Sequence, residues 1–205
     1  MADHYYTQTP TSAHKPGQVD FLWRGAKLVF ETDSGVFSRT EIDKGTEILL
    51  NALPEELTGS LLDMGCGYGV IGVTLGKRYP GLSVVMSDVN ERAVELSRRN
   101  AQRNGVPARV MQSDGYADVP FQRMDWIVQN PPIRAGKSVI YAMFAEGARR
   151  LEPSGELWLV IRKQQGAESA VRYLKTLFGR VEAVSKKGGF WVLRCTQPAE
   201  RPDEE

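Results

Sequence analysis

The pattern of apolar and polar positions changes period several times along this chain. Between Val19 and Thr32, Phe21 and Trp23 and then Leu28 and Phe30 alternate with polar neighbours around Arg24-Gly25, which predicts a β-hairpin. Ser34-Gly35-Val36-Phe37-Ser38 follows as a turn-rich link able to fold over a neighbouring pocket. From Asp43 the spacing becomes helical. Asp43 offers an N-cap, Ile48, Leu49, Ala52 and Leu53 share one face, and Pro54 ends the element.

Beyond residue 59, strand and helix patterns alternate with little interruption. Strands are predicted over residues 60–64, 82–86, 108–112, 124–128 and 156–161. The first helix carries Val70, Ile71, Thr74 and Leu75 and stops at Pro80-Gly81; the next starts at an Asn90 cap and closes at Asn104-Gly105. A further helix is expected from a Ser138 cap through Tyr141, Phe144, Ala145 and Ala148, and another over residues 167–178. The ending breaks the alternation: residues 181–185 and 190–195 read as two strands joined directly by Lys186-Lys187-Gly188-Gly189. This pattern predicts an α/β protein whose parallel sheet closes with an antiparallel hairpin.

Composition narrows the class. A length of 205 residues suits one domain, with 41% hydrophobic and 25% charged residues as in ordinary globular chains. The expected organisation is an arm over residues 1–17, one domain over 18–197 (a hairpin-and-helix prelude, then the core from residue 59), and a disordered acidic tail over 198–205. No apolar run reaches membrane-spanning length and no basic-then-apolar leader opens the chain. Cys66 and Cys195, far apart, form neither a disulfide framework nor a metal cluster, so a cytoplasmic location is the expectation. Both histidines, His4 and His14, lie in the arm, which leaves no histidine for a metal site or acid–base catalysis in the body. The net charge of +1 conceals an asymmetry: −3 over residues 1–129, +7 over 130–197 and −3 beyond. A basic C-terminal half suits nucleic-acid phosphate, and equally suits solvated helix faces.

The chemistry concentrates where strands end. Asp63-Met64-Gly65-Cys66-Gly67-Tyr68-Gly69 is a strand end, a glycine-rich turn and a helix start in succession. Glycines at alternate positions let a ligand approach the backbone, and free N–H groups at the helix start face the same space. A dinucleotide turn needs G-x-G-x-x-G, and here the third glycine falls one residue early. The preceding aspartate would repel a pyrophosphate but suits a cationic ligand such as S-adenosylmethionine, which carries a sulfonium and an ammonium. Asp88 lies 21 positions after Gly67, near the ~20-residue offset at which a carboxylate meets ribose hydroxyls. Val89 can pack on an adenine face, and Asp114 can accept from its exocyclic amine. Asp63, Asp88, Asp114 and Asn130 all end strands on one edge of the predicted sheet, so they converge on one crevice.

Asn130-Pro131-Pro132 is the second specific signal. Two prolines stiffen the turn and remove two backbone donors, leaving carbonyl oxygens exposed. The Asn130 amide oxygen and the Pro131 carbonyl can accept both protons of a planar amine and align its lone pair with a sulfonium methyl, without a histidine base.

Together these residues resemble the class I S-adenosylmethionine-dependent methyltransferases. Residues 35–50, GVFSRTEIDKGTEILL, together with NPP, are similar to the RsmC-like group of small-subunit rRNA guanine-N2 methyltransferases. The resemblance runs from His4 to Thr196. It implies a Rossmann-like doubly wound sheet of seven strands, mostly parallel with the last strand antiparallel, and methyl transfer to an exocyclic amine. The family pattern implies a cofactor site of Asp63, Gly65, Cys66, Gly67, Asp88, Val89, Asp114, Gly115 and Asn130, with Asn130, Pro131 and Pro132 catalytic. Candidate substrate contacts are Ile133, Arg134, Lys137 and Phe37, the two cations holding phosphates beside an extruded base. Two departures stand out: Ile133 occupies a position often aromatic in the family, and where longer members of the group carry a second methyltransferase-like domain in front, the residues before the core read as an arm and a hairpin. The partner so implied is RNA, with small-subunit rRNA first. Adenine of RNA or DNA, a protein glutamine, a small molecule, and a cofactor-binding module without catalysis stay open.

Overall fold

The computed structural model describes residues 8–120 and 122–199. Expectations for His4 and the start of the arm, and for the acidic tail from residue 200 onward, fall outside the described residues.

Two sheets form. The smaller is the hairpin β1 (Gly17–Trp23) and β2 (Ala26–Thr32), antiparallel, with Trp23 opposite Ala26 across a two-residue turn. That turn takes positive φ at both Arg24 (44°) and Gly25 (81°), the twist a right-handed hairpin requires. The Arg24 guanidinium then reaches the end of α1 (Lys44–Ala52), donating to the Leu53 and Pro54 carbonyls at 2.9 Å. Helix α3 (Glu91–Arg103) holds the far edge of β2. Asn100 bonds both backbone groups of Glu31, and Asn104, the C-cap residue, both of Val29, so two side-chain amides one helical turn apart stand in for a neighbouring strand. Part of the arm is also fixed: His14 Nδ1 lies 2.5 Å from Asp33 Oδ2, and Arg92 donates to the Ser12 carbonyl at 2.9 Å.

The larger sheet contains β3 (Gly59–Met64), β4 (Leu82–Asp88), β5 (Ala108–Gln112), β6 (Met124–Gln129), β7 (Leu151–Arg162), β8 (Phe178–Lys187) and β9 (Phe190–Pro198) in the order β5-β4-β3-β6-β7-β9-β8. Pairings from β5 through β7 are parallel, and β9 is antiparallel to both neighbours. Helices α2 (Val70–Arg78), α4 (Lys137–Arg149) and α5 (Ala167–Leu174) complete the layers. The central strands are apolar on both faces because both are covered. Leu61, Val128, Trp158 and Val192 face the layer of α1, α2, α3 and the hairpin, while Leu62, Ile127, Leu157 and Leu193 face the layer of α4 and α5. Among the described residues no helix is long and apolar enough to cross a membrane.

Some expected boundaries shift. Helix α4 starts at Lys137 behind Gly136, with no side-chain cap, so Ser138 is inside the helix rather than capping it. The expected helix over 167–178 ends at Leu174, and Phe178 already opens β8. Strand β7 begins at Leu151, five residues before the predicted start, and a register shift between Met124 and Trp126 of β6 accommodates the Pro153-Ser154-Gly155 stretch. The polar residues there hide the strand from a periodicity argument. The buried Glu156 carboxylate is matched instead by Trp158 Nε1 at 2.7 Å and Arg194 Nε at 2.9 Å.

What positions the site is the strand order. The chain moves outward from β3 to β4 and β5, then returns to place β6 on the other side of β3. The carboxyl ends of β3 and β6 therefore border the point where the winding reverses, where open α/β sheets leave a crevice. Asp63 pairs in register with Val128, so Gly65 lies level with Asn130.

Candidate active site

A cleft of about 460 Å³ opens at that point. It is lined by Gly65, Cys66 and Gly67 on one side, Asp88, Val89, Asp114 and Gly115 below, and Asn130, Pro131 and Pro132 opposite. Phe37 and Ser38 of the link before α1 also line it. Among the described residues the lining holds three aspartates (Asp43, Asp88 and Asp114) and no cationic side chain, so its field favours a positively charged ligand.

The first wall is backbone. Gly65 N and Cys66 N both donate to the Ser87 carbonyl, at 2.8 and 3.0 Å, bending the chain off β3 against the end of β4. Ser97 Oγ then donates to the Gly67 carbonyl and Asn100 Nδ2 to the Tyr68 carbonyl, both at 2.8 Å, so α3 grips the turn from behind. Gly67 has φ of +57°, where a β-carbon is strained, and a β-carbon added there would meet no protein atom within 4 Å. The space it would enter is the cleft. Asp88 is half-buried. One carboxylate oxygen accepts from Gly67 N at 2.8 Å and the other from Asn90 N at 2.9 Å. Burial raises its carboxyl above the ordinary value despite those N–H groups, and each oxygen keeps a further lone pair for a ligand hydroxyl.

Asp63 is placed differently from the expectation. It is fully buried behind the turn and outside the cleft lining. Its Oδ2 accepts from Gly72 N in the first turn of α2 at 2.8 Å, while Oδ1 has no hydrogen-bond partner among the described residues. Burial, reinforced by the nearby Asp88 charge, pushes its carboxyl up to about 7 against the lowering effect of the Gly72 N–H. The sequence placed it correctly at a strand end but could not show that the side chain turns beneath the glycines.

The second wall is a side chain held from afar. Asn130 Nδ2 donates to Asp43 Oδ2 and to Thr46 Oγ1, each at 3.0 Å. Asp43 is also the N-cap of α1, accepting from Thr46 N at 2.8 Å. A carboxylate only accepts, so this contact fixes which end of the Asn130 amide is NH₂. Both amide protons are consumed, and the Asn130 oxygen has no partner among the described residues. The Pro131 carbonyl is likewise untaken there, whereas the Pro132 carbonyl accepts from Ala135 N at 2.8 Å.

The substrate candidates divide. Phe37 lines the cleft; Ile133, Arg134 and Lys137 do not. Ile133 and Arg134 belong to a short 3₁₀ turn, and Arg134 and Lys137 are exposed on either side of the lining residue Ala135 in sequence, with Lys137 Nζ 5.1 Å from the Tyr141 ring centroid. Asp43, Thr46 and Tyr68 line the cleft without having been singled out for it, and Ser38 joins them from the link expected to fold over a pocket. Asp43 was legible only as a cap. Tyr68 filled a variable place in the glycine motif; its hydroxyl donates to the Ser38 carbonyl at 3.1 Å and ties the link to the turn. No group of three or more His, Cys, Asp or Glu among the described residues could hold a metal ion.

These residues fit S-adenosylmethionine. The glycine wall would give its methionine portion close backbone approach, Asp88 would accept from its ribose hydroxyls, and the acidic lining would complement its positive charges. Comparison with known proteins points the same way. The methyltransferase small domain family matches residues 27–194. The uncharacterized protein YbxB of Bacillus subtilis is 44% identical over 95% of this chain and 98% of its own length. Ribosomal RNA small subunit methyltransferase C of Hahella chejuensis is 42% identical over 77% of this chain and 49% of its own. The Thermus thermophilus 16S rRNA N2 G1207 methyltransferase RsmC, solved with AdoMet and guanosine, superposes with a TM-score of 0.79 at 27% identity, covering 91% of this chain and 51% of that one. The chain thus spans about half the length of these rRNA methyltransferases.

Proposed function

The chain belongs to the methyltransferase small domain family and uses S-adenosylmethionine as methyl donor; from that premise we propose that it methylates guanine N2 of 16S rRNA. The observation that carries this is the Asn130 amide, whose NH₂ end is spent on Asp43 and Thr46 so that its oxygen is presented to the cleft. An acceptor group at that point selects a substrate that donates, such as an exocyclic amine.

When bound, S-adenosylmethionine supplies the electrophilic methyl. The work of this chain is to position the amine. Asn130 Oδ1 and the Pro131 carbonyl each accept one proton of the NH₂ group, turning its lone pair toward the cofactor wall level with Gly65. Neither carbonyl is basic enough to keep a proton, so the proton released on methylation leaves to solvent. Pro131 and Pro132 keep the carbonyls from rotating away. Phe37, in the lining of the cleft, supplies the aromatic face that Ile133 does not. Arg134 and Lys137, exposed on either side of Ala135, meet the phosphates on either side of the extruded nucleotide. The rRNA substrate is supported by the relatives named small subunit methyltransferase C.

Incubation with labelled cofactor and small ribosomal subunits lacking modification, followed by nucleoside mass spectrometry, tests this. N2-methylguanosine is the expected product. Label on adenine, or on protein alone, would overturn the guanine assignment.

A further inference from the structure

The carboxyl edge of the sheet continues past the cleft. Strand β7 ends at Arg162, followed by Lys163, and the β8–β9 turn is preceded by Lys186 and Lys187. Sheet pairing joins these two distant stretches. Phe190 of β9 lies opposite Arg162 on one side and Lys187 on the other, and Lys163 N donates to the Gly189 carbonyl at 2.8 Å. The four side chains are exposed, and no ion pair among the described residues involves them. By contrast Arg180, Arg194, Arg149 and Arg150 in the same basic half each face a glutamate. Two of the four are seated on aromatic rings, Arg162 at 4.6 Å over Phe190 and Lys186 at 4.1 Å over Trp191, contacts that position a cation without neutralising it.

This platform adjoins the acceptor wall. A β-carbon on Gly45, in the first turn of α1, would lie 2.8 Å from the Phe190 ring, so the helix start packs directly on the platform. The cap of that same helix, Asp43, holds Asn130. One helix start therefore separates the cleft from four uncompensated positive charges.

We infer that Arg162, Lys163, Lys186 and Lys187 form a second phosphate-binding surface that receives the RNA backbone flanking the target nucleotide, in addition to Arg134 and Lys137. This rests on the RNA reading above. Two exposed glycines, Gly188 and Gly189, let a backbone come close. Phosphate contacts of this kind set register and affinity.

Filter binding of the full chain to unmodified 16S rRNA transcript between 50 and 200 mM salt tests this, with these bounds chosen at about the range over which phosphate contacts register. Two double variants, Arg162→Gln with Lys163→Gln and Lys186→Gln with Lys187→Gln, are compared with their combination and with Arg109→Gln plus Lys175→Gln elsewhere on the surface. Each lost phosphate contact should reduce the slope of log affinity against log salt by about 0.7 to 0.9. The combined variant should lose roughly three units of slope, with cofactor affinity by calorimetry unchanged. The Lys186/Lys187 pair keeps the test sound should Arg162 prove needed for folding. A wild-type slope in the combined variant, or an equal loss in the Arg109/Lys175 control, overturns the platform. So does unchanged RNA binding with lost binding of polyglutamate, which would mark a protein surface. If the wild-type chain itself binds RNA without salt dependence, the RNA reading falls; a steep wild-type slope that the variants leave intact removes only the platform.

Discussion

The two walls of the cleft are built in opposite ways. The glycine wall is contiguous backbone, five residues between β3 and α2, whose shape is set by local φ values and by carbonyls that α3 holds from behind. The acceptor wall is one side chain whose orientation depends on a residue 87 positions earlier in the chain. A backbone wall presents the same atoms whatever its neighbours do. A side-chain wall presents an oxygen only while its amide is prevented from flipping. If this contrast is right, damage to the first wall should appear in cofactor binding and damage to the second in transfer.

The strongest test is Asn130→Ala. Removing the amide of the acceptor wall should lower methyl transfer by about 10²- to 10³-fold, the scale of losing preorganised polar groups at a reacting centre. Cofactor affinity, measured by calorimetry, should stay near the wild-type value because Gly65, Gly67 and Asp88 are untouched. Equal losses in both would dissolve the distinction between the walls.

Asp43→Ser probes the long-range half of that wall alone. Serine still caps α1, so the fold is kept, but its side chain is too short to reach Asn130 as well. The amide is then free to turn, and kcat should fall by up to about 10²-fold, as for a small misplacement of a reacting group. Asp43→Asn keeps an accepting oxygen for Asn130 Nδ2 and should recover much of that loss. No recovery, or a loss carried only by KM for the cofactor, would argue that Asp43 serves the helix and nothing else.

The same contrast explains what the sequence could reveal. The turn residues Gly65 and Gly67 and the strand-end Asp88 carry their role in local spacing, and the fold class follows from strands and helices alternating with short connections. Asn130-Pro131-Pro132 was legible for the same reason. What escaped notice depends on contacts the spacing does not encode. Asp43 is one residue with two duties, and only the cap duty has a sequence signature. Asp63 stands where a ligand carboxylate should, yet its side chain turns under the glycines to Gly72. Arg162 and Lys187 meet only because β9 runs between them. The early start of β7 was hidden by Pro153 and Gly155, which are turn formers everywhere else.

A smaller effect should separate two glycines of one motif. Gly67→Ala puts a methyl into the cleft at a strained φ, so it should weaken cofactor binding by about tenfold, the equivalent of 1–2 kcal/mol. At Gly69 the added carbon would instead meet Ser97 Oγ at 3.1 Å and Val73 Cγ2 at 3.2 Å. Gly69→Ala should therefore lower Tm first, and affinity only as far as the fold loosens. Indistinguishable binding curves and melting curves for the two variants would mean that the wall is not divided into a face toward the ligand and a face toward α3.

The last prediction concerns what lies under the glycine wall. With its carboxyl raised from an ordinary 3.8 to about 7, Asp63 is protonated in the folded chain where the unfolded chain has already ionised. The folded state thus binds the extra proton, and stability falls as pH rises from about 4 to 7, with the full cost of the buried charge present above that window. Three units would correspond to about 4 kcal/mol as an upper bound. Asp63→Asn keeps an oxygen for the Gly72 N–H and removes the titration. The difference in Tm between wild type and variant should therefore shift with pH across that window, in the direction of a relative loss for wild type as pH increases. Asp33, lowered by His14 and backbone N–H groups despite its burial, is present in both proteins and cancels in the difference, whereas Asp88, whose charge also raises Asp63, titrates as part of the same coupled response. Parallel profiles from pH 4 to 8 would show that the buried carboxylate is not coupled to folding. The glycine wall would then rest on its backbone hydrogen bonds alone.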